Sequence, residues 1–268
     1  MADFAGKNKA FFDTEAATYD TKHAKTLADL TASLQSSLPF LAPFPSDPTT
    51  TPFTLLDYAC GTGTITKALS EHCSRVIGID VSAGMVAAYN TTASNQGLEE
   101  EEVHAWVGDL IDPEVDRPRE FEGEEFWGFD VAVVGLGFHH FGDAGLAARR
   151  LGERLKGGGS LVILDFLPHG EMLGHGHGHG HGHGHGHGHG HGHGHGEKKE
   201  EAGGKGEETK VVETVKYMGF SEEDVRKLFE QAGLGLDFGY KVLGKGLVIG
   251  PEEKRMKREV FIARGTKA

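Results

Sequence analysis

Cysteine is scarce. Cys60 and Cys73 are the only two in 268 residues, too few to staple a chain of this size into a disulfide framework. A reduced, intracellular setting is the expectation. Arginine is absent before Arg75, so the first part of the chain lacks the arginine-rich, acid-poor character of a mitochondrial presequence, and no apolar stretch there makes a signal core. Long apolar runs are missing as well: Leu161 to Leu164 is followed at once by Asp165, then by Pro168 and His169, short of the roughly 18–20 residues a spanning helix needs. Positive charge is in deficit, with 27 Lys and Arg against 40 Asp and Glu and a net charge of −13, which argues against a phosphate-backbone partner. The expectation is a cytoplasmic protein with no membrane span and no nucleic-acid partner.

What is present in excess is a repeat. From Gly174 to Gly196, 12 glycines alternate with 11 histidines. Such a tract has nothing apolar to bury and maximal backbone entropy, so it is expected to be disordered alone, as is the Glu/Lys/Gly-rich stretch that follows it. Apolar periodic sequence resumes on both sides. Residues 169–209 therefore read as an insertion within one domain covering 1–268, whose other parts are an N-terminal helical cap (1–45), a larger half (46–168) and C-terminal helix and strands (210–268). The histidines from His175 to His195 can collect borderline metals non-specifically, but glycine between every pair offers no fixed geometry, so no dedicated metal site is expected.

Elsewhere strand and helix patterns alternate. Short apolar runs at Phe53 to Ala59, Arg75 to Asp80, Val103 to Asp109, Phe129 to Gly135 and Ser160 to Phe166 read as strands, the last entered through a turn at Lys156 to Gly159. Helical periodicity covers Thr64 to His72, about Thr92 back to an N-cap at Ser82, Ala144 to Leu155, and a segment opened by a Ser221/Asp224 capping box and closed by Gly233. Two more strands, Leu236 to Leu243 and Arg258 to Arg264, follow, and the first 40 residues read as two helices. Repeated strand-helix units imply a parallel α/β sheet covered on both faces, with ligands beyond the carboxyl ends of its strands.

The sharpest local signal is Leu55-Leu56-Asp57-Tyr58-Ala59-Cys60-Gly61-Thr62-Gly63-Thr64, a strand running into a glycine-rich turn that opens a helix. Asp80 ends the next strand 17 residues after Gly63, placed to accept from ribose hydroxyls. A dinucleotide site would want a third small residue at Thr66 and would suffer from the carboxylate of Asp57, whereas a ligand carrying an ammonium group would tolerate it.

These residues resemble the opening motif of the class I S-adenosylmethionine-dependent methyltransferases, especially the small-molecule group that includes the ubiquinone/menaquinone-biosynthesis type. The resemblance continues through Gly108-Asp109-Leu110, Phe129 to Val134, Leu136 to Phe141 with paired histidines, Lys156 to Phe166, and Tyr19-Asp20 as a lid element. It implies a seven-stranded doubly wound Rossmann-like sheet with the last strand antiparallel. It further implies S-adenosyl-L-methionine as cofactor, a small-molecule methyl acceptor, and a monomer or homodimer. By the same resemblance Asp57 lies near the ligand's amino group, Gly61, Thr62 and Gly63 pack against it, Asp80 takes the ribose and Asp109 the adenine amino group. Leu110, Val81 and Met85 wall the ring, with Tyr19 and Leu136 at the edges. His139 or His140, just past the fourth strand, is a candidate general base if its pKa stays near about 6.5. Phe138, Phe141, Phe166, Tyr217, Met218 and Phe220 are candidates for an aromatic acceptor wall. The competing readings are a protein methyltransferase and a non-catalytic metal-binding or regulatory protein on the same fold.

Overall fold

The computed structural model describes residues 4–45, 47, 49–169, 213–249 and 256–268; the His-Gly repeat and the expectations attached to it lie outside these. Five parallel strands, β1 (Thr54–Tyr58), β2 (Arg75–Asp80), β3 (Val103–Val107), β4 (Phe129–Gly135) and β5 (Leu155–Phe166), are joined by β6 (Leu236–Ile249) and β7 (Met256–Thr266). The sheet order is β3-β2-β1-β4-β5-β7-β6, and β7 is antiparallel to both neighbours. The expected seven-stranded α/β sheet with one antiparallel strand at its end of the chain is what the backbone forms.

Alternation along the strands explains why helices cover both faces. Leu55, Val131, Val133 and Val162 bury toward one side with Leu34 and Ile65, while Leu56, Ala132, Val134 and Ile163 bury toward the other with Leu151 and Phe229. The helices are α1 (Phe4–Glu15), α2 (Tyr19–Gln35), α3 (Leu38–Leu41), α4 (Thr64–Leu69), α5 (Ala83–Asn95), α6 (Ala144–Arg154) and α7 (Glu222–Gln231).

Several boundaries differ from those expected. The N-terminal region holds a third short helix, α3, and α4 stops at Leu69, its pattern continuing as a 3₁₀ turn over Ser70–His72. Lys156 to Gly159 is a bulge inside β5 rather than a turn before it. Phe129 pairs with Leu155 and Val131 with Ser160, so β5 spends three more residues than β4 over that stretch. Gly159 is pressed so closely on the Phe129 carbonyl that a Cβ would sit 2.8 Å from it, and Lys267 N donates to Gly159 O, so β7's tail holds the bulge. Strands β6 and β7 outrun their expected lengths because they pair with each other as far as Ile249 and Met256.

The capping box at α7 forms as expected: Ser221 Oγ accepts from Asp224 N, and the Asp224 carboxylate accepts from Ser221 N at 3.0 Å. The hydrogen bonds from Ser221 hold the Asp224 carboxyl below its usual range, so this contribution is present above the ordinary Asp pKa and is lost as pH falls through the lowered one. Ser221→Ala is expected to cost about 1 kcal/mol in urea unfolding at pH 7, and less at pH 3.

Candidate active site

Strands β1 and β4 lie side by side, and their outgoing connections leave in opposite directions, one toward β2 and the other toward β5. Such a divergence opens a crevice at the carboxyl ends of the strands. The backbone there is bent into unusual conformations. Ala59 and Leu136, the residues immediately beyond β1 and β4, have φ of 56° and 57°, positions that cost a non-glycine residue energy. Gly61 has a φ of 53°, and a Cβ on it would meet no atom within 4 Å, so its bare backbone faces open space.

A cavity of about 710 Å³ occupies this crevice. Of the residues singled out from sequence, Tyr19, Gly61, Thr62, Asp80, Val81, Met85, Asp109, Leu136 and His140 line it. Asp80 is held by two backbone donors, Gly61 N on Oδ2 and Ser82 N on Oδ1, each at 2.9 Å. Burial raises its proton affinity, with those same donors opposing the rise. Asp109 Oδ1 accepts from the Tyr58 hydroxyl and from Ile111 N, both at 2.8 Å, and burial likewise raises its pKa. Burial, then Asp80 and Asp20, push the Tyr19 phenol up to about 12, so it keeps its proton and remains a donor.

Asp57, Gly63, Leu110 and His139 are not on the cavity wall. Asp57 sits beneath the loop, where Oδ2 accepts from Thr66 N and Oγ1 and Oδ1 has no hydrogen-bond partner among the described residues. Burial pushes its carboxyl up to about 7. Gly63 backs onto the Tyr89 ring, Leu110 packs in the core beside Phe121, and His139 turns toward Asp165.

The turn after β4, a 3₁₀ turn over Phe138–His140, decides the chemistry of the two histidines. His140 Nδ1 lies 2.9 Å from the Thr214 carbonyl, which can only accept, so Nδ1 carries the proton and Nε2 the lone pair. Burial and the neighbouring His139 ring push its pKa down to about 3, so the expected value near 6.5 does not hold in this setting. His140 is a neutral hydrogen-bonding group rather than a base tuned to neutral pH.

The wall opposite the sheet was not legible as a site. Phe4, Asn8 and Phe12 share one face of α1 by their spacing of four, a pattern that could have marked them, and all three line the cavity. Asn8 Nδ2 donates to His140 O at 3.2 Å, Asp13 Oδ1 accepts from Ser82 Oγ and Gly84 N, and Thr62 Oγ1 donates to Asp20 at 2.6 Å. The N-terminal helices are thus fastened to the β4 turn, to α5 and to the glycine loop. Of the six residues expected in an aromatic acceptor wall, only Phe141 reaches the cavity; Phe138, Phe166 and Phe220 are core.

Charge around the cavity is lopsided. Among the described residues, Asp80, Asp109, Asp112, Glu114 and Asp143 line it against one basic residue, Lys216. A field of that sign repels a pyrophosphate and favours a ligand bearing sulfonium or ammonium charge.

The sheet is of the kind that the resemblance to class I methyltransferases implies, and the glycine loop and strand-end aspartates meet at one cavity. Residues 56–161 match the methyltransferase domain family. It is 33% identical over 117 residues to an uncharacterised methyltransferase of Schizosaccharomyces pombe, a stretch covering 44% of this chain and 40% of that protein. It is 31% identical over 119 residues to a demethylmenaquinone methyltransferase of Thermus thermophilus, covering 44% of this chain and 49% of that protein. The chain thus spans less than half the length of the curated relatives it matches. A SAM-dependent methyltransferase structure from Aquifex aeolicus superposes with a TM-score of 0.53 at 15% identity, over 96% of this chain and 98% of that one, and so shares its fold. Among the described residues no helix is long and apolar enough to cross a membrane.

Proposed function

We propose that this chain is an S-adenosyl-L-methionine-dependent methyltransferase acting on a small molecule with an apolar or aromatic body. In this reading 1–268 works as one domain with 169–209 as an insertion, in the cytoplasm, as a monomer or homodimer. The observation that carries it is the pairing of Asp80 with Gly61 N at the sheet's divergence, inside an acid-lined cavity. The residues fit the cofactor: Asp80 would take the ribose hydroxyls, Asp109 the adenine amino group, and Gly61 and Thr62 the amino-acid end. Val81 and Met85 would wall the ring. Asp57, buried beneath the loop, would make no direct contact with the cofactor.

The cofactor supplies a methyl group on a positively charged sulfur, transferable by in-line displacement. The chain's part is to hold the acceptor in line and keep water out, so proximity carries most of the rate. Phe12 and Phe141 would flank the acceptor, and His140 Nε2 would accept from its O–H or N–H. Calorimetric titration of the full chain with S-adenosylmethionine and S-adenosylhomocysteine is expected to give micromolar affinity or better, while a flat titration of folded protein rejects this reading.

Because His140 is neutral well below neutrality, kcat is expected to show no His140 ionisation between pH 5 and 8. His140→Asn should raise the acceptor KM by about tenfold, the worth of one hydrogen bond, and leave the pH profile of kcat unchanged. Loss of an acidic limb from that profile in the variant would restore the base role. For stability the sign is fixed: the unfolded imidazole takes up a proton first, so stability falls as pH drops from about 6.5 toward 3.

A further inference from the structure

We infer that Arg150, on α6, is the positioning residue that shapes the 109–116 segment into a reader of the adenine edge. The inference rests on the cofactor reading above. The segment has no helix or strand of its own and one backbone bond within it, Val115 N to Asp112 O, so its carbonyls draw on partners from elsewhere. Arg150 supplies them from one nitrogen: Nη1 donates to Leu110 O at 3.1 Å, to Asp112 O at 2.7 Å and to Val115 O at 2.8 Å. The side chain is buried at 6% exposure, whereas its ion-pair partner Asp116 is solvent-exposed and 3.7 Å away. The carbonyl bonds, not the ion pair, therefore account for the placement of the guanidinium.

Position gives the clamp its consequence. Asp109, Ile111, Asp112 and Glu114 line the cavity, and Asp109's carboxylate is aimed by Ile111 N from within the same segment. Gathering the carbonyls on either side of Ile111 fixes the direction of its N–H, and with it the direction of Asp109. Although burial is the main influence raising Asp109's proton affinity, the positive charge of Arg150 works against it, which favours the ionised, acceptor-only form. That form suits an amino group and rejects a carbonyl.

The experiment compares wild type, Arg150→Met and Arg150→Lys in the full chain by calorimetry. The ligands are S-adenosylhomocysteine and S-inosylhomocysteine, in which a carbonyl replaces the adenine amino group. Wild type is expected to prefer the adenosyl ligand by at least about tenfold. In Arg150→Met the affinity for S-adenosylhomocysteine should fall by about tenfold and the preference should shrink below about threefold. Arg150→Lys, keeping the charge and three donors on a shorter stem, should fall between. Thermal melting identifies folded samples, and Arg150→Lys carries the test should the Met variant not fold. Unchanged affinity and preference in folded variants would overturn the inference, as would equal weakening of both ligands, which marks a purely structural arginine. Wild type that binds neither ligand brings down the cofactor reading itself, an outcome separable from unaffected variants of a binding wild type.

Discussion

Asp80→Ala is expected to lower the affinity for S-adenosylhomocysteine by roughly a hundredfold to ten-thousandfold while leaving the protein folded. The magnitude follows from the two charge-assisted hydrogen bonds proposed between Asp80 and the ribose hydroxyls, at about 1.5–3 kcal/mol each. Asp80 is 8% exposed and already fixed by Gly61 N and Ser82 N, so little ordering remains to oppose binding. The same two bonds link β2's end to the glycine loop and to the start of α5, so the substitution also loosens the loop proposed to hold the ligand.

Stability should move far less than affinity. Burial raises Asp80's pKa in the folded state, so its ionised form costs stability once pH exceeds the ordinary Asp value, and removing it returns that cost. Against this, the buried N–H of Ser82 and the part-buried N–H of Gly61 lose their acceptor. The opposed terms predict a Tm within a few degrees of wild type near pH 7. Calorimetry and melting on the same samples check both halves, and a variant that binds within threefold of wild type would remove Asp80 from the ligand site.

What could be read from the sequence was whatever depends on neighbours along the chain. Gly61, Asp80 and Asp109 stand where a strand pattern runs out, so their place at the carboxyl edge of the sheet follows from periodicity alone. The groups that shape the cavity without such a pattern were hidden because their partners are remote. Asn8 meets His140 across 132 residues, and Arg150 meets the segment after β3 across 35 to 40. The failure at Lys156 to Gly159 has the same origin: three glycines announce a turn, but the tail of β7, more than 100 residues later, pairs with them and keeps them in the sheet. Periodicity also could not tell which of His139 and His140 faces the cavity, since a 3₁₀ turn rather than a helix or strand sets their directions.

Asp165→Ala is expected to cost about 3–5 kcal/mol of folding free energy, the sum of leaving several buried donors without their acceptor. Asp165, fully buried at the end of β5, accepts from three groups: His139 N at 2.9 Å, His139 Nδ1 at 2.8 Å and Phe166 N at 2.7 Å. In the sequence it read only as the residue that breaks the Leu161 to Leu164 apolar run. Its removal leaves two buried backbone N–H groups and an imidazole without their acceptor, and no water channel is needed for the penalty to be large. The damage should reach the cavity by a definite route. His139 O accepts from Lys216 N and Tyr217 N, and His140 is held by Thr214 O and by Asn8, so the turn that Asp165 anchors is the junction of β4, α1 and the 213–217 segment. Asp165→Asn keeps an oxygen either for His139 Nδ1 and Phe166 N, which share Oδ1, or for His139 N, which lies on Oδ2, but turns an N–H₂ toward the other side, and should lose roughly half as much. Urea unfolding measures both. Because the residues proposed for the ribose and adenine contacts lie on β2 and after β3, a folded Asp165→Asn protein should bind S-adenosylhomocysteine within about threefold of wild type while its acceptor KM rises about tenfold. Equal loss at both sites would show that the turn supports the whole cavity rather than its acceptor end.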